Sequence, residues 1–371
     1  MAEHKRSIIL RPNPLFFVIA LFAMFTTSVI AGENRDWKQH PAIVKLEMPP
    51  VLYAMGDVHG DYDRMVELLT AGKLIGGLQA KPQDVRWTGG KAVLVVTGDF
   101  IDKYDQSLAV IAALRVIQSQ AEQAGARVII MLGNHEAEFL SAAQAWSPQV
   151  TDAKTKIGKS GKKSSSLLKE LDAAQISPTD VAAGRDVGGF GAWMRDLPVA
   201  VMAGDWFFCH AGNTGGISVD RLETDLQNDI TANGFSGPLL GNPNSILQSR
   251  MHPRQWWDAN REVQLAEAPA SATPPQRAVA SEKRLRAIVE ALGCKHLVIG
   301  HQPGKIIFAD GSVREAGEVI QKFDDLLWMI DTGMSRGANA GRGALLKIET
   351  DGKQTIADAL YMDGKTARIY P

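Results

Sequence analysis

The chain has 371 residues, 45% hydrophobic and 22% charged, so wholesale disorder is excluded and a core can form without disulfide or metal staples. Forty Lys and Arg against 41 Asp and Glu leave a net charge of −1, which speaks against a broad nucleic-acid surface. Two cysteines exclude a disulfide scaffold and an all-cysteine zinc site.

Residues 1–31 read as an address rather than as part of the fold. Lys5, Arg6 and Arg11 form a basic start, residues 15–25 are uninterruptedly apolar, and Val29, Ile30 and Ala31 make a small-residue site ahead of Gly32. This is the pattern of a secretory signal peptide, with cleavage expected after Ala31 and export to a periplasm or the cell exterior. The alternative is an uncleaved membrane anchor. Residues 15–31 are at the short limit for a span and include Thr26, Thr27 and Ser28, which favours the cleaved signal and no stable membrane partner. Residues 32–50, with Pro41, Pro49 and Pro50, read as a lead-in to one domain over 51–371.

Residues 51–55 are a short apolar run ending in Gly-Asp, read as a buried strand, and 62–71 read as a helix. Residues 92–97 are a second buried strand, again ending in Gly-Asp. Residues 106–123 carry Leu108, Ile111, Leu114 and Ile117 on one helical face, and 127–132 form a third strand ending in Gly-Asn. Strand–helix–strand–helix–strand at this spacing argues an α/β fold with a parallel sheet. Residues 141–196 break the rhythm with Lys/Ser/Gly-rich sequence and read as an inserted cap. Residues 199–202 and 206–209 flank Gly204-Asp205 as a hairpin. Residues 211–290 read as loop and helix, a second cap, with a mobile Ala/Pro-rich stretch at 267–275. Residues 296–300, 326–330 and 344–348 read as strands of a second sheet, with 355–361 a candidate partner.

The chemistry-bearing residues cluster where these strands stop. The first three end in Gly56-Asp57-Val58-His59-Gly60, Gly98-Asp99-Phe100-Ile101-Asp102 and Gly133-Asn134-His135-Glu136, and two later ones in Cys209-His210 and Gly300-His301. Ligands collect at the carboxyl ends of strands in open α/β sheets. Imidazole, carboxylate and amide oxygen without thiolate suit Mn, Fe or Zn. Asp99, at a strand end of its own, is well placed to bridge two ions, and two ions roughly 3.5–4 Å apart can clamp a phosphoryl group. An Asp or Asn at a strand end is ordinarily a turn or helix cap. The joint, ordered pattern is what argues for metal.

These five ordered motifs resemble the calcineurin-like metallophosphoesterase superfamily. They are most similar to its phosphoprotein phosphatase branch and its bacterial relatives, the Shewanella-like phosphatases and diadenosine tetraphosphate hydrolases. The segment Asp331 to Arg336 is also similar to sequence after the last histidine in those relatives. The resemblance implies a four-layer β-sandwich flanked by helices, with the cap segments as walls over the site. It implies that Asp57, His59 and Asp99 hold one metal, and that Asp99, Asn134, His210 and His301 hold a second. A metal-bridging hydroxide would then attack phosphorus, with His135 as general acid oriented by Asp102 and with Lys103 and Arg250 binding phosphate oxygens. Where the branch usually has Arg-Gly after Asp102, this chain has Lys103-Tyr104, a point charge in place of a bidentate fork. The implied function is phosphomonoester hydrolysis, with phosphoprotein as the familiar substrate. The alternatives are nucleotide or dinucleotide polyphosphate hydrolysis and a catalytically weak metal-binding module.

Other conspicuous residues have plainer readings. His252 reads as a loop residue and His296 as a structural one opening an apolar strand. Trp193, Trp206, Trp256, Trp257 and Trp328 read as core or groove wall, and Lys159 to Lys169 as a solvated face. Cys209 and Cys294 fall at opposite ends of their strands, beyond disulfide reach.

Overall fold

The computed structural model describes residues 35–76, 81–143, 165–250, 274–308 and 311–371, with backbone alone for 274–281. The expected signal peptide, His252, Trp256, Trp257 and most of the lysine run lie outside the described residues. So does the expected mobile stretch, apart from its last two residues, which open a helix.

In chain order the strands are β1 (Ile43–Leu46), β2 (Val51–Met55), β3 (Val93–Val96), β4 (Arg127–Ile130), β5 (Ala200–Ala203), β6 (Trp206–Cys209) and β7 (His296–Ile299). They continue as β8 (Ile306–Ile307), β9 (Val313–Arg314), β10 (Ile320–Lys322), β11 (Leu327–Met329), β12 (Ala344–Thr350), β13 (Thr355–Tyr361) and β14 (Thr366–Tyr370). The α-helices are α1 (Tyr62–Ala71), α2 (Ser107–Gln123), α3 (Asn134–Ala142), α4 (Ser166–Ala173), α5 (Pro178–Ala182), α6 (Phe190–Arg195), α7 (Val219–Asn233), α8 (Pro238–Gly241) and α9 (Pro274–Leu292).

Two six-stranded sheets carry the fold, one ordered β14-β13-β12-β2-β3-β4 and the other β1-β5-β6-β7-β11-β10. The strands β2, β3 and β4 are parallel, as the motif spacing predicts, and so are β6, β7 and β11. Alternation along each strand builds the layers. On β3, Val93 and Val95 face the opposite sheet and pack with its Phe208, Val298 and Trp328 and with Leu346 of their own sheet. Leu94 and Val96 turn outward to a second core shared with Met65 and Leu69 of α1 and with Ile111 and Leu114 of α2. On the other sheet, Phe207, Leu297 and Leu327 face the outer core, which takes in Leu222 and Leu226 of α7 and Leu285 and Ile288 of α9. The result is helix, sheet, sheet, helix: the expected four-layer sandwich.

Two expectations are corrected. Residues 344–348 and 355–361 join the first sheet, not the second: β12 runs antiparallel to β2, with Leu345 opposite Met55 and Ile348 opposite Leu52. Apolar alternation reports which face of a strand is buried but is silent on which sheet receives it. The lead-in is also more ordered than its prolines suggest. Strand β1 lies within it and pairs in parallel with β5 at the sheet edge. Arg35, almost fully buried, donates to the carbonyls of Arg195, Asp196 and Leu197 at the end of α6. Cys209 and Cys294 are both buried and free, and burial pushes the Cys294 thiol up to about 12, so neither is a ready thiolate.

Candidate metal centre

The loops after the strands are knitted into one another. The backbone N–H groups of Val58 and His59 donate to the Asp99 carbonyl at 3.1 and 2.8 Å, and that of Gly60 to Phe100 at 3.0 Å. From the other sheet, His301 N–H donates to Asp57 Oδ1 at 3.0 Å. Close approach leaves no room for side chains between these loops. A Cβ on Gly300 would lie 2.5 Å from Asp57 Oδ1 and 2.7 Å from Thr97 Oγ1, and one on Gly133 would collide with Asp99. His59, Asp99, Asp102, Lys103 and His301 all hold left-handed backbone, with φ of 45°, 50°, 65°, 65° and 63°. Each such residue costs energy and persists only where its surroundings over-determine it. Glu136 is one reason these do. Its carboxylate accepts from the N–H of Asp99, Phe100, Ile101 and Gly133 at 2.8–3.1 Å, and so shapes the whole Asp99 loop.

Every predicted metal ligand arrives at one place, and the two oxygens of Asp99 divide it. Asp99 Oδ2 lies 3.6 Å from His59 Nε2, which is also 3.6 Å from Asp57 Oδ2. Asp99 Oδ1 lies 3.4 Å from His210 Nε2, which is 3.1 Å from both Asn134 Oδ1 and His301 Nδ1. All of these side chains are at least nine-tenths buried. His59, Asp99 and His135 form one group of convergent ligand atoms, and Asp99, His210 and His301 form another.

The donor atoms are oriented as a cation requires. His210 Nδ1–H donates to the Thr97 carbonyl at 2.8 Å, which in the neutral ring turns the Nε2 lone pair inward. Asn134 Nδ2–H donates to Glu138 Oε1 at 3.1 Å, and Gln248 donates to the same oxygen at 2.7 Å, so Asn134 Oδ1 faces the centre. Acceptors then meet acceptors around Asp99, which is costly unless a cation lies among them. The first position already draws one: Lys103 Nζ lies 2.6 Å from His59 Nε2. Electrostatics agree with this reading. Burial, with Lys103 beside it, holds His59 well below the usual imidazole range, and burial, His210 and Arg250 do the same for His301. Both rings are thus neutral, as ligands must be. Burial also lowers His210, but Asp99 and Asp57 outweigh it and raise the ring to about 10, so metal would have to displace a proton there. The residues present therefore fit two cations bridged by Asp99, with oxygen and nitrogen donors and no thiolate.

His135 stands at the rim of this cluster with its two nitrogens divided. Nδ1 lies 3.5 Å from Asp102 Oδ2, while Nε2 lies 3.9 Å from Asp99 Oδ2 and points at the centre. Burial lowers its pKa, but Asp99 and Asp102 raise it further and favour the imidazolium. Asp102 is held well below the usual carboxylate range: burial acts upward, and His135, Ser165 and Ser166 outweigh it. Of the two predicted phosphate-binding cations, Lys103 reaches His59 itself. The Arg250 guanidinium lies 3.4 Å from the His301 carbonyl, at the edge of the second position.

Several residues that build the centre are absent from the sequence reading as site residues. Glu136 was legible as the last residue of its motif, where its Oε2 accepts from the Gly133 N–H at 2.8 Å at the start of α3. Asp331 follows β11 and is buried beside Asp57, whose pKa is raised by burial and then by Asp331; Asp331 Oδ1 accepts from Gly333 N–H at 2.8 Å. Arg336 locks the first loop from the same segment. It donates to Asp61 and Asp63 at 2.6 and 2.7 Å and stacks on Tyr104, while Ser335 donates to the His59 carbonyl at 3.1 Å. Glu138, Ser165 and Ser166 carry no pattern that sequence alone could read as catalytic support.

Residues 51–305 match the family model described as calcineurin-like phosphoesterase. The chain is similar to Shewanella-like protein phosphatase 2 of Arabidopsis thaliana, 24% identical over 353 residues, covering 88% of this chain and 83% of that protein. It is equally similar, at 24% over 337 residues and 88% of this chain against 85% of the other, to an uncharacterized protein of Schizosaccharomyces pombe. Among solved structures, the cold-active protein-tyrosine phosphatase of a psychrophilic Shewanella shares the fold. It has a TM-score of 0.60 at 18% identity, covering 89% of this chain and 82% of that one. The chain belongs to the calcineurin-like phosphoesterase family, whose members use a binuclear metal centre, and it is a hydrolase.

Proposed function

We propose that this phosphoesterase is an exported phosphomonoesterase acting on phosphoprotein, with Mn, Fe or Zn as its ions. The observation that carries the reading is the division of Asp99. One oxygen serves the Asp57–His59 side and the other the Asn134–His210–His301 side, and a protonatable His135 stands within 3.9 Å of the bridge. When bound, two cations there would supply Lewis acidity toward a phosphoryl oxygen and an acidified water near neutral pH. The chain supplies the rest. Lys103 and Arg250 offer positive charge to phosphate oxygens from two sides. His135 Nε2–H donates the proton that the leaving oxygen needs. Asp102 Oδ2, 3.5 Å from Nδ1, is placed to orient the ring and favours its charged form. The phosphoprotein class is supported by the names of the relatives, protein phosphatases in both comparisons.

The test is turnover after chelation, with Mn, Fe or Zn added back. Substrates are p-nitrophenyl phosphate, its bis ester, phosphopeptides and dinucleotide polyphosphates. Metal-dependent cleavage with preference for phosphopeptides is expected. Preference for the dinucleotides would replace the substrate assignment, and two bound metals without turnover would favour a binding module. Export rests on the amino-terminal pattern. Sequencing of the protein recovered from producing cells should begin at Gly32, and an intact Lys5–Arg11 region would instead favour an anchor.

A further inference from the structure

Asp102 presents a positioning problem. It sits in left-handed backbone, and its contact with His135, at 3.5 Å, is at the limit of a hydrogen bond. Such a contact does not by itself hold a carboxylate in place. The other oxygen is held far more firmly, and by a distant part of the chain. Asp102 Oδ1 accepts from Ser165 Oγ at 2.7 Å, Ser166 N–H at 2.8 Å and Ser166 Oγ at 3.0 Å. Bonds to a carboxylate are roughly twice as strong as neutral ones, and these three converge on one atom together with a longer one from Leu167 N–H at 3.5 Å. They come from the first residues of α4, where the helix amino terminus adds a favourable field for negative charge.

The helix that carries these serines is anchored twice more. Leu167 and Leu171 are buried in the outer core. Glu170 accepts from the N–H of Ser107 and Leu108 at 2.8 and 2.9 Å, at the start of α2. Ser107 Oγ in turn accepts from Asp102 N–H at 3.0 Å. Asp102 is therefore gripped at both backbone and side chain by a frame of which α4 is the outer half.

We propose that Ser165 and Ser166 are positioning residues for the proton donor. They fix Asp102 so that its second oxygen meets His135 Nδ1, which makes the segment inserted between β4 and β5 part of the catalytic apparatus. The inference rests on the phosphomonoesterase reading of the centre and on His135 as the acid.

A proton donor matters most when the leaving oxygen is a poor one. The test compares a phosphoserine peptide, which leaves as an alkoxide, with p-nitrophenyl phosphate, which leaves as a stabilised phenolate. His135→Asn is the reference and should lose about 10²–10⁴-fold in kcat on the peptide and far less on the aryl ester. The pair Ser165→Ala and Ser166→Ala should lose about 10–100-fold on the peptide, the scale of a misplaced group, with KM and bound metal unchanged. Its aryl ester turnover should stay near wild type, which also reports that the protein is folded. Threonine at both positions keeps the hydroxyls and should restore the peptide rate. In an Asp102→Asn background the alanine pair should add little further loss. Equal losses on both substrates for His135→Asn would overturn the acid assignment and the inference with it. A substrate-selective His135→Asn beside an alanine pair that is unaffected, or equally slow on both substrates, would overturn the positioning role alone. If the pair is insoluble, the single Ser166→Ala variant is read by the same two rates.

Discussion

His296 opens β7 and His301 follows its far end, and the two rings have opposite surroundings. The His296 ring is packed 4.1 Å from Trp206 and 5.9 Å from Tyr370, centroid to centroid, and its Nδ1–H donates to the Asp325 carbonyl at 2.9 Å. Burial lowers its pKa, so the ring is a neutral part of an aromatic cluster. His301 stands in left-handed backbone, with Nδ1 facing another imidazole at 3.1 Å across from a shared carboxylate. Burial is common to both. What separates them is the company: aromatic faces and one satisfied carbonyl at one end, converging acceptors on strained loops at the other. A buried histidine is placed to serve as a ligand where the backbone is bent to bring further acceptors to it.

Four substitutions sharpen or break this contrast. Asp99→Asn should have the largest effect, with metal and turnover lost together, as read by metal analysis and assay of one preparation. A fully metallated, active variant would end the bridging assignment. His135→Asn should cost about 10²–10⁴-fold in turnover while both metals stay bound, because the role proposed for the ring is toward the leaving group rather than the ions. Metal loss in that variant would move His135 into the ligand set, which its place beside His59 and Asp99 makes a real alternative. Glu138→Ala frees the Asn134 amide to rotate and should weaken metal binding about 10–100-fold, measured by titration with Mn or Zn. An unchanged affinity would mean that Asn134 is oriented by other contacts. His296→Phe should leave metal count and turnover as they are and shift urea unfolding by about 0.5–1.5 kcal/mol, the scale of one hydrogen bond, since the Asp325 carbonyl keeps the Trp328 Nε1–H donor at 2.7 Å. An effect of that variant on metal content would dissolve the contrast between the two ends.

The sequence was most informative where chemistry and chain order coincide. The Gly56–Gly60, Gly98–Asp102 and Gly133–Glu136 motifs each sit at the end of a parallel strand, so the element pattern that places the strands also places the ligands. The parallel course of β2, β3 and β4 followed from the same spacing. What was hidden depends on contacts between distant residues. Pairing β12 with β2 joins residues nearly three hundred positions apart in the chain, and nothing in the alternation of β12 marks its partner. The N–H groups of Asp99, Phe100 and Ile101 gathered by Glu136 and the grip of Ser165 and Ser166 on Asp102 are likewise long-range. A short polar residue reads as a cap or a turn until the fold shows what it caps. The lead-in was misjudged for a related reason: its prolines flank β1 without entering it.

The central claim is that Asp99 joins two metal positions in a working hydrolase. Its most direct test is a metal titration of the chelated protein, counting bound ions and turnover of p-nitrophenyl phosphate on the same samples. Activity should rise only as the second equivalent binds, and the Asp99→Asn protein should reach neither state. Full turnover at one ion per chain, or with none, would contradict the account.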